Sequence, residues 1–175
     1  DLSTQAITDQ AGQVVHIEKT SINDVTITNN GTMWSEENNV IELNRTNIRG
    51  TATITNASGA TIRSDSTATD EAAIVINDTT GTVNINNAGT ITSKAQGILN
   101  KGSTITSLTN SGTLETTGTG TDSISKAGIY NAARSTVTTL NNNFGATLEG
   151  TDSYSSGVYN LDTITSLSNA GTLQG

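Results

Sequence analysis

Short stretches of alternating polar and aliphatic residues recur along the whole chain. One of them is Thr26-Ile27-Thr28, and five further stretches of this kind each precede an Asn. Alternation with a period of two places successive side chains on opposite faces of a strand, so each stretch predicts a short β-strand with one buried face. No 3.6-residue periodicity is visible, and Thr, Asn and Gly are poor helix formers, so helical repeats are excluded.

Each alternating stretch ends in the same turn motif, which is Asn, one or two residues, Gly, an optional Ala, and then Thr with an aliphatic residue. The six copies begin at Asn29, Asn56, Asn87, Asn110, Asn142 and Asn169. Asn and Gly both tolerate the positive φ of a tight corner, so we expect the chain to turn there. The Thr and aliphatic residue then start a second strand beyond the corner.

A second motif precedes the first in the later copies. It reads Gly97-Ile98-Leu99-Asn100, Gly128-Ile129-Tyr130-Asn131 and Gly157-Val158-Tyr159-Asn160, with looser versions at 74–77 and 40–44. The segments 63–72, 115–126 and 149–156 are polar and differ in length between copies. Each repeat therefore holds three short strands and one variable loop.

Three short strands cannot bury their few aliphatic residues alone, but stacked copies can. The sequence thus predicts an all-β fold, a right-handed single-stranded parallel β-helix (β-solenoid) of about six three-strand rungs. We expect residues 1–21 to form an N-terminal capping or first-rung segment and residues 22–175 to form the repeats. Stacking also predicts a structural ladder in which the amides of the six motif asparagines bond to one another along the axis.

The composition agrees with this fold. Thr, Asn, Ser and Gly supply just over half of the 175 residues, while hydrophobic residues reach 32% and aromatic residues 3%, as a narrow aliphatic core requires. The net charge of −8 disfavours nucleic acid and anionic membrane surfaces as partners. The absence of Cys excludes disulfides and thiolate metal sites, and no 18-residue apolar stretch exists to enter a bilayer.

The stretches 97–114, 128–148 and 157–173 resemble the rungs of adhesin-type autotransporter passenger domains, which are surface-exposed β-helices of Gram-negative bacteria. The resemblance covers about residues 22–175 and is strongest from Val83 onward. Filamentous-haemagglutinin-like exoproteins carry a similar motif. The resemblance implies a fragment of a longer passenger, exported through the outer membrane and displayed on the cell surface or secreted. It further implies adherence to host-cell protein, matrix or glycan, or association with another copy during autoaggregation and biofilm formation.

Two alternatives stay open beside adhesion. One is a non-adhesive stalk that displays a binding domain elsewhere in a larger passenger. The other is a polysaccharide-degrading β-helix enzyme, for which Asp122 and Asp152 are the candidates, since Gly-Thr-Asp-Ser recurs around both. Such carboxylates can form an acid/base pair or a cation site, but Asp also commonly caps turns, and we favour solvated turns. We therefore expect no enzymatic activity, metal or cofactor.

The few aromatic residues are candidates for a binding surface. Tyr130 and Tyr159 occupy one column on consecutive rungs, Tyr154 lies in the loop nearby, and Trp34 precedes a polar loop. Tyrosines in a column form either a structural stack or a surface for sugar or protein, and Trp34 either anchors a ligand or covers the end of the core. His16, the only histidine, is expected to be a strand or capping residue. The Thr-x-Thr tripeptides do not keep one register, which disfavours ice binding.

Overall fold

The computed structural model describes residues 7–8, 12–118 and 126–175. Within these residues the chain forms twenty strands in three sheets and no helix. Strands pair in parallel throughout this part of the chain, for example β10 with β13, β11 with β14 and β12 with β15. The predicted all-β parallel solenoid is therefore confirmed.

Each sheet takes one strand from a rung, except that the first rung gives sheet C two strands, β3 and β4, which both pair with β7; the strands stack along the solenoid axis. Sheet A contains β1 (Ile7–Thr8), β5 (Thr32–Ser35), β8 (Thr61–Ser64), β11 (Thr90–Ser93), β14 (Thr113–Thr116), β17 (Thr147–Gly150) and β20 (Thr172–Gln174). Sheet B contains β2 (Val15–Glu18), β6 (Ile41–Asn44), β9 (Ala72–Asn77), β12 (Gln96–Lys101), β15 (Ala127–Asn131) and β18 (Ser156–Asn160). Sheet C contains β3 (Ser21–Ile22), β4 (Val25–Asn29), β7 (Asn47–Asn56), β10 (Thr80–Asn87), β13 (Thr104–Asn110), β16 (Thr136–Asn142) and β19 (Thr163–Asn169).

The chain visits the sheets in the order B, C, A. In one rung β9 is followed by β10 and β11, and β12 then returns to pair with β9. The alternating stretches form sheet C, the second motif forms sheet B, and the Thr and aliphatic residue after each Gly form sheet A. The rung therefore has the predicted three strands, and the variable segments lie between sheets A and B.

The core consists of aliphatic columns, with at least one from each sheet. Sheet C contributes Ile27, Ile54, Ile85, Leu108 and Leu140; sheet A contributes Met33, Ile62, Ile91, Leu114 and Leu148; sheet B contributes Ile41, Ile74, Ile98 and Ile129. All of these side chains are buried, and burying each one stabilises the fold by about 1.5–3 kcal/mol. The last members of two columns, Leu167 and Leu173, are 46% and 39% exposed at the final rung.

The glycine of the turn motif serves in two different ways. Gly59 and Gly145, in the longer corners, have a φ of 79°, as the sequence predicted. The prediction is wrong for the shorter corners, where Gly89 is not among the positive-φ residues. A Cβ at Gly89 would lie 2.3 Å from the carbonyl oxygen of Ala60 on the preceding rung. Close approach of two backbones, rather than the φ angle, therefore requires glycine there.

Candidate functional site

The six motif asparagines form the predicted ladder at the corner between sheets C and A. The Nδ2 of each of the first five donates to the Oδ1 of the Asn on the next rung over 2.8–2.9 Å, through Asn29, Asn56, Asn87, Asn110, Asn142 and Asn169. The same five Nδ2 atoms also donate to the carbonyl of the motif Thr on the next rung, as Asn110 does to Thr147 over 2.8 Å. The first five side chains are almost completely buried. Their role is thus to hold consecutive rungs together, and they are not available to a ligand.

A second asparagine ladder lies at the end of the strands of sheet B, but it is interrupted. Asn100 donates to Asn131 over 2.9 Å and Asn131 donates to Asn160 over 2.8 Å, whereas Asn77 donates backward to Asn44 over 3.0 Å. The register places Asn100 opposite Ile76. At the break, the Oδ1 atoms of Asn77 and Asn100 are buried without a hydrogen-bond donor among the described residues.

Buried hydroxyl groups line the corner between sheets B and C, and the sequence did not reveal them. The hydroxyls of Thr46, Thr79, Ser103 and Ser135 each donate to a backbone carbonyl of the preceding rung, at Ile17, Leu43, Ile76 and Asn100 respectively, over 3.0–3.3 Å. Each hydroxyl residue follows a residue with positive φ, namely Arg45, Asp78, Gly102 or Arg134. This column stabilises the corner and leaves the outer faces of the sheets as the candidate interaction surfaces.

The outer face of sheet C is a neutral polar surface. Two columns run through six rungs in register, one of Thr26, Thr53, Asn84, Ser107, Thr139 and Ser166 and one of Thr28, Thr55, Asn86, Thr109, Asn141 and Ser168. Arg49 is the only charged residue in the strands of this sheet. Hydroxyl and amide groups therefore cover this face as regularly spaced hydrogen-bond donors and acceptors.

The outer face of sheet A carries charge. Asp65 follows β8 and accepts hydrogen bonds from Arg63 over 2.7 Å and from the indole nitrogen of Trp34 over 3.1 Å, with Lys94 3.7 Å away. Burial opposes ionisation of Asp65, but the Arg63 and Trp34 hydrogen bonds more than offset it and hold the pKa of the carboxyl below its ordinary value. Glu115 and Glu149 are in register further along the same face.

Trp34 is thus an outward-facing strand residue of β5, between Met33 of the core and Ser35. The prediction that it covers the end of the core is wrong, because Trp34 lies on the outer side of sheet A and binds Asp65. Its indole belongs to an ion-pair cluster on that face. Whether Trp34 anchors a ligand stays a prediction.

The outer face of sheet B changes character along the axis. Its central column contains, in register, His16, Glu42, Val75, Leu99, Tyr130 and Tyr159. His16 lies in strand β2, as predicted, and its ring nitrogens are 3.1 Å from Glu42 and 3.4 Å from Glu18. Beyond Glu42 the column becomes aliphatic and then aromatic, which is unlike either of the other two faces.

Tyr130 and Tyr159 share a column on consecutive rungs, as the sequence predicted. Their ring centroids are 5.5 Å apart with an interplanar angle of 67°, an edge-to-face contact. Burial, with a smaller contribution from Tyr159, raises the pKa of the Tyr130 hydroxyl above its ordinary value. Tyr154 lies in the turn before β18 and is 55% exposed, so it is separate from this column.

Asp152 occupies a turn, as its sequence context predicts. Its carboxylate accepts the amide of Ser153 over 2.6 Å, and its own amide donates to the Ser155 hydroxyl over 2.7 Å. The ammonium of Lys126, which is buried, is 3.9 Å from the carboxylate. Asp122 lies outside the described residues, so its pairing with Asp152 in a cation or acid/base site stays a prediction.

Neither a metal centre nor a membrane span is evident in the described part of the chain. No group of three or more His, Asp or Glu side chains in residues 12–118 and 126–175 is placed to hold a metal ion. Those residues also contain no helix that is long and apolar enough to cross a membrane. Comparison with known proteins found no protein-family model, no curated protein and no solved structure that matches the chain.

Proposed function

We propose that this chain is a passenger segment of a surface-exposed adhesin that mediates adherence to host cells or matrix, or bacterial self-association, through the outer face of sheet C. The proposal includes display on the bacterial cell surface, or secretion, by a Gram-negative organism. The observation that carries it is the pair of neutral polar columns on sheet C, which run through six rungs.

The distribution of charge is the physical reason for choosing this face. The chain has a net charge of −8, and acidic side chains such as Glu115 and Glu149 lie on sheet A. Two copies that meet through sheet C bring few like charges directly together, since the charged residues here are Arg49 in β7 and Asp24 in the turn between β3 and β4. Their hydroxyl and amide columns repeat at the rung spacing of about 4.8 Å, so many weak hydrogen bonds can form at once.

The test is to place a charge on sheet C and to place the same charge on sheet A as a control. Thr55→Glu and Thr109→Glu alter the neutral columns, while Thr92→Glu alters an outward strand position of β11 on sheet A. We expect the two sheet C variants to reduce sedimenting oligomers and aggregation of bacteria that display the passenger. The Thr92→Glu variant should behave as the wild type. Equal effects of all three variants would contradict the proposal.

A non-adhesive stalk is the second candidate, and the continuous asparagine ladder favours it. Five inter-rung side-chain hydrogen bonds of 2.8–2.9 Å tie the six rungs into one rod. A stalk predicts that charge on sheet C changes neither oligomerisation nor adherence, whereas deletion of whole rungs shortens the reach of the passenger. The same three variants therefore distinguish the two functions.

A further inference from the structure

The outer face of sheet B contains an apolar patch that the segment 65–71 partly covers. This segment connects β8 to β9, and the carbonyl of Thr69 accepts a hydrogen bond of 2.9 Å from the Gln96 side chain on the next rung. Ala72, Val75 and Leu99 form a small buried cluster apart from the main core, and Tyr130 packs against it. On sheet B, segment 65–71 thus shields the outward-facing side chains of Val75 and Leu99 from water. No segment covers the neutral columns of sheet C in this way among the described residues.

Coverage of the patch is incomplete, and a cleft remains between segment 65–71 and Tyr130. It has a volume of about 210 Å³ and is lined by Thr69, Asp70, Leu99, Lys101, Tyr130 and Ala132. Leu99, Ala132 and the ring of Tyr130 are apolar. Asp70 supplies acceptors, Lys101 supplies donors, and the Thr69 hydroxyl supplies both.

This combination fits the chemistry of a pyranose ring, which has a face of C–H groups and a rim of hydroxyls. The C–H face packs on an aromatic ring, and the hydroxyls bond to a carboxylate or an ammonium at the edge. We propose that this cleft binds one pyranose ring of a neutral glycan, with Tyr130 as the stacking platform and Asp70 and Lys101 as hydrogen-bond partners of the hydroxyls.

Size and charge both restrict the ligand. Pockets for drug-sized ligands are about 300–1,000 Å³, so a cleft of this volume holds a single ring and leaves the rest of a glycan outside. Asp70 and Lys101 carry opposite charges, and the ion pairs among the described residues include neither of them. The side chains that line the cleft therefore carry no net charge. On a chain with a net charge of −8, this favours a neutral sugar over an acidic one.

The rest of the glycan follows the axis of the solenoid. Tyr159 continues the column on the next rung with its ring centroid 5.5 Å from that of Tyr130, so it presents apolar surface to the neighbouring sugar. The glycan site rests on the proposed adhesive function, for which it names a ligand, but it lies on sheet B and not on sheet C. The two proposals can therefore fail separately.

Saturation-transfer difference NMR tests the site with cellohexaose, maltohexaose, xylohexaose, mannohexaose and chitohexaose, and with a heparin hexasaccharide as the acidic probe. We expect transfer to the ring protons of at least one neutral sugar. Affinity should fall at least about tenfold in Tyr130→Ala and about tenfold in Asp70→Asn, while Tyr130→Phe retains it. Tyr154→Ala, which removes an exposed tyrosine outside the cleft, is the matched control and should bind as the wild type.

Absence of transfer to every neutral sugar, preference for heparin, or unchanged binding by Tyr130→Ala and Asp70→Asn would overturn the glycan site. Asp70 is exposed, so Asp70→Asn decides the question if Tyr130→Ala does not fold. Thr109→Glu should bind the sugar normally, and Tyr130→Ala should self-associate normally. If the wild type binds no neutral sugar while charge on sheet C still reduces self-association, only the glycan site is refuted. If the wild type binds the sugar while charge on sheet C has no effect, only the adhesive role of sheet C is refuted.

Discussion

Asn77 and Asn100 lie on consecutive rungs and do not hydrogen-bond to each other. Asn100 is in register with Ile76, and Asn77 is in register with Lys101, so the second asparagine ladder changes position by one residue between these rungs. Each of the two side chains has a buried Oδ1 without a donor among the described residues. A buried acceptor without a donor costs about 1–3 kcal/mol, so this break is a local weakness of the solenoid.

Substitution of Lys101 by Asn should repair one half of the break. An Asn at this position lies opposite Asn77 and can donate its Nδ2 to the unsatisfied Oδ1, which extends the ladder that Asn77 forms with Asn44. We expect Lys101→Asn to raise the free energy of unfolding by up to about 1 kcal/mol in urea titrations. Lys101→Leu removes the same charge without supplying a donor, and stabilisation of equal size in that variant would contradict the explanation.

Removal of a central asparagine should be far more costly than removal of the last one. Asn110→Ala deletes an amide that donates to Asn142 and to the Thr147 carbonyl and accepts from Asn87, all in a buried site. We expect a loss of about 2–4 kcal/mol in the free energy of unfolding.

Asn169→Ala, at the exposed end of the same ladder, should cost less than about 1 kcal/mol. Hydrogen exchange should show the Asn110→Ala effect in the rungs on either side, since each rung is stabilised by its neighbours. Equal losses in the two variants would show that the ladder does not govern stability.

The rung and its first ladder could be predicted because they depend on short-range signals. Asn and Gly are separated by one or two residues in every copy, and Ile27 or its equivalent always lies two residues before the Asn. Parallel stacking then places identical residues side by side, so a column in the sequence becomes a column in space. The register of Tyr130 with Tyr159 was predictable for the same reason.

Features with variable spacing could not be predicted. The buried hydroxyl follows its sheet B asparagine by two residues at Thr46 and Thr79, by three at Ser103 and by four at Ser135. The residue with positive φ before it is Arg, Asp or Gly, so no residue type identifies the corner. The cleft likewise depends on how the segment 65–71 folds back over sheet B, which no local pattern in that polar segment specifies.

Gly128 should be irreplaceable for steric reasons. A Cβ there would lie 2.7 Å from the Gly157 carbonyl oxygen and 2.8 Å from Cδ1 of Leu148, so backbone and core would both have to move. We expect Gly128→Ala to destabilise the fold by about 3 kcal/mol in urea titrations. Gly59→Ala is the matched comparison, because its Cβ meets nothing within 4 Å and only the positive φ is unfavourable, at a cost of about 1 kcal/mol. A Gly128→Ala variant as stable as Gly59→Ala would refute the steric requirement.

Neutralisation of Glu71 should stabilise the fold in a pH-dependent manner. Burial, with smaller contributions from nearby acidic residues, raises the pKa of Glu71 above 4.5, and its Oε2 has no hydrogen-bond partner among the described residues. The folded state thus binds the proton more tightly than the unfolded state, so ionised Glu71 destabilises the fold at neutral pH, and this effect vanishes below pH 4.5.

We therefore expect Glu71→Gln to exceed the wild type in urea midpoint at about pH 7 and to match it at about pH 4. Glu36→Gln, at an exposed position in the loop before β6, should differ little from the wild type at either pH. A constant difference between Glu71→Gln and the wild type across this range would exclude titration of Glu71 as the cause.

Self-association should strengthen with salt. At a net charge of −8 two chains repel each other, and the screening length falls from about 30 Å at 0.01 M salt to about 8 Å at 0.15 M. Contacts between the neutral columns of sheet C contain no attractive ion pairs that salt would weaken, so screening removes repulsion and leaves the hydrogen bonds.

Sedimentation velocity across this salt range should show a growing oligomer fraction for the wild type and for Thr92→Glu, but little growth for Thr109→Glu. Monomers at every salt and protein concentration would count against self-association.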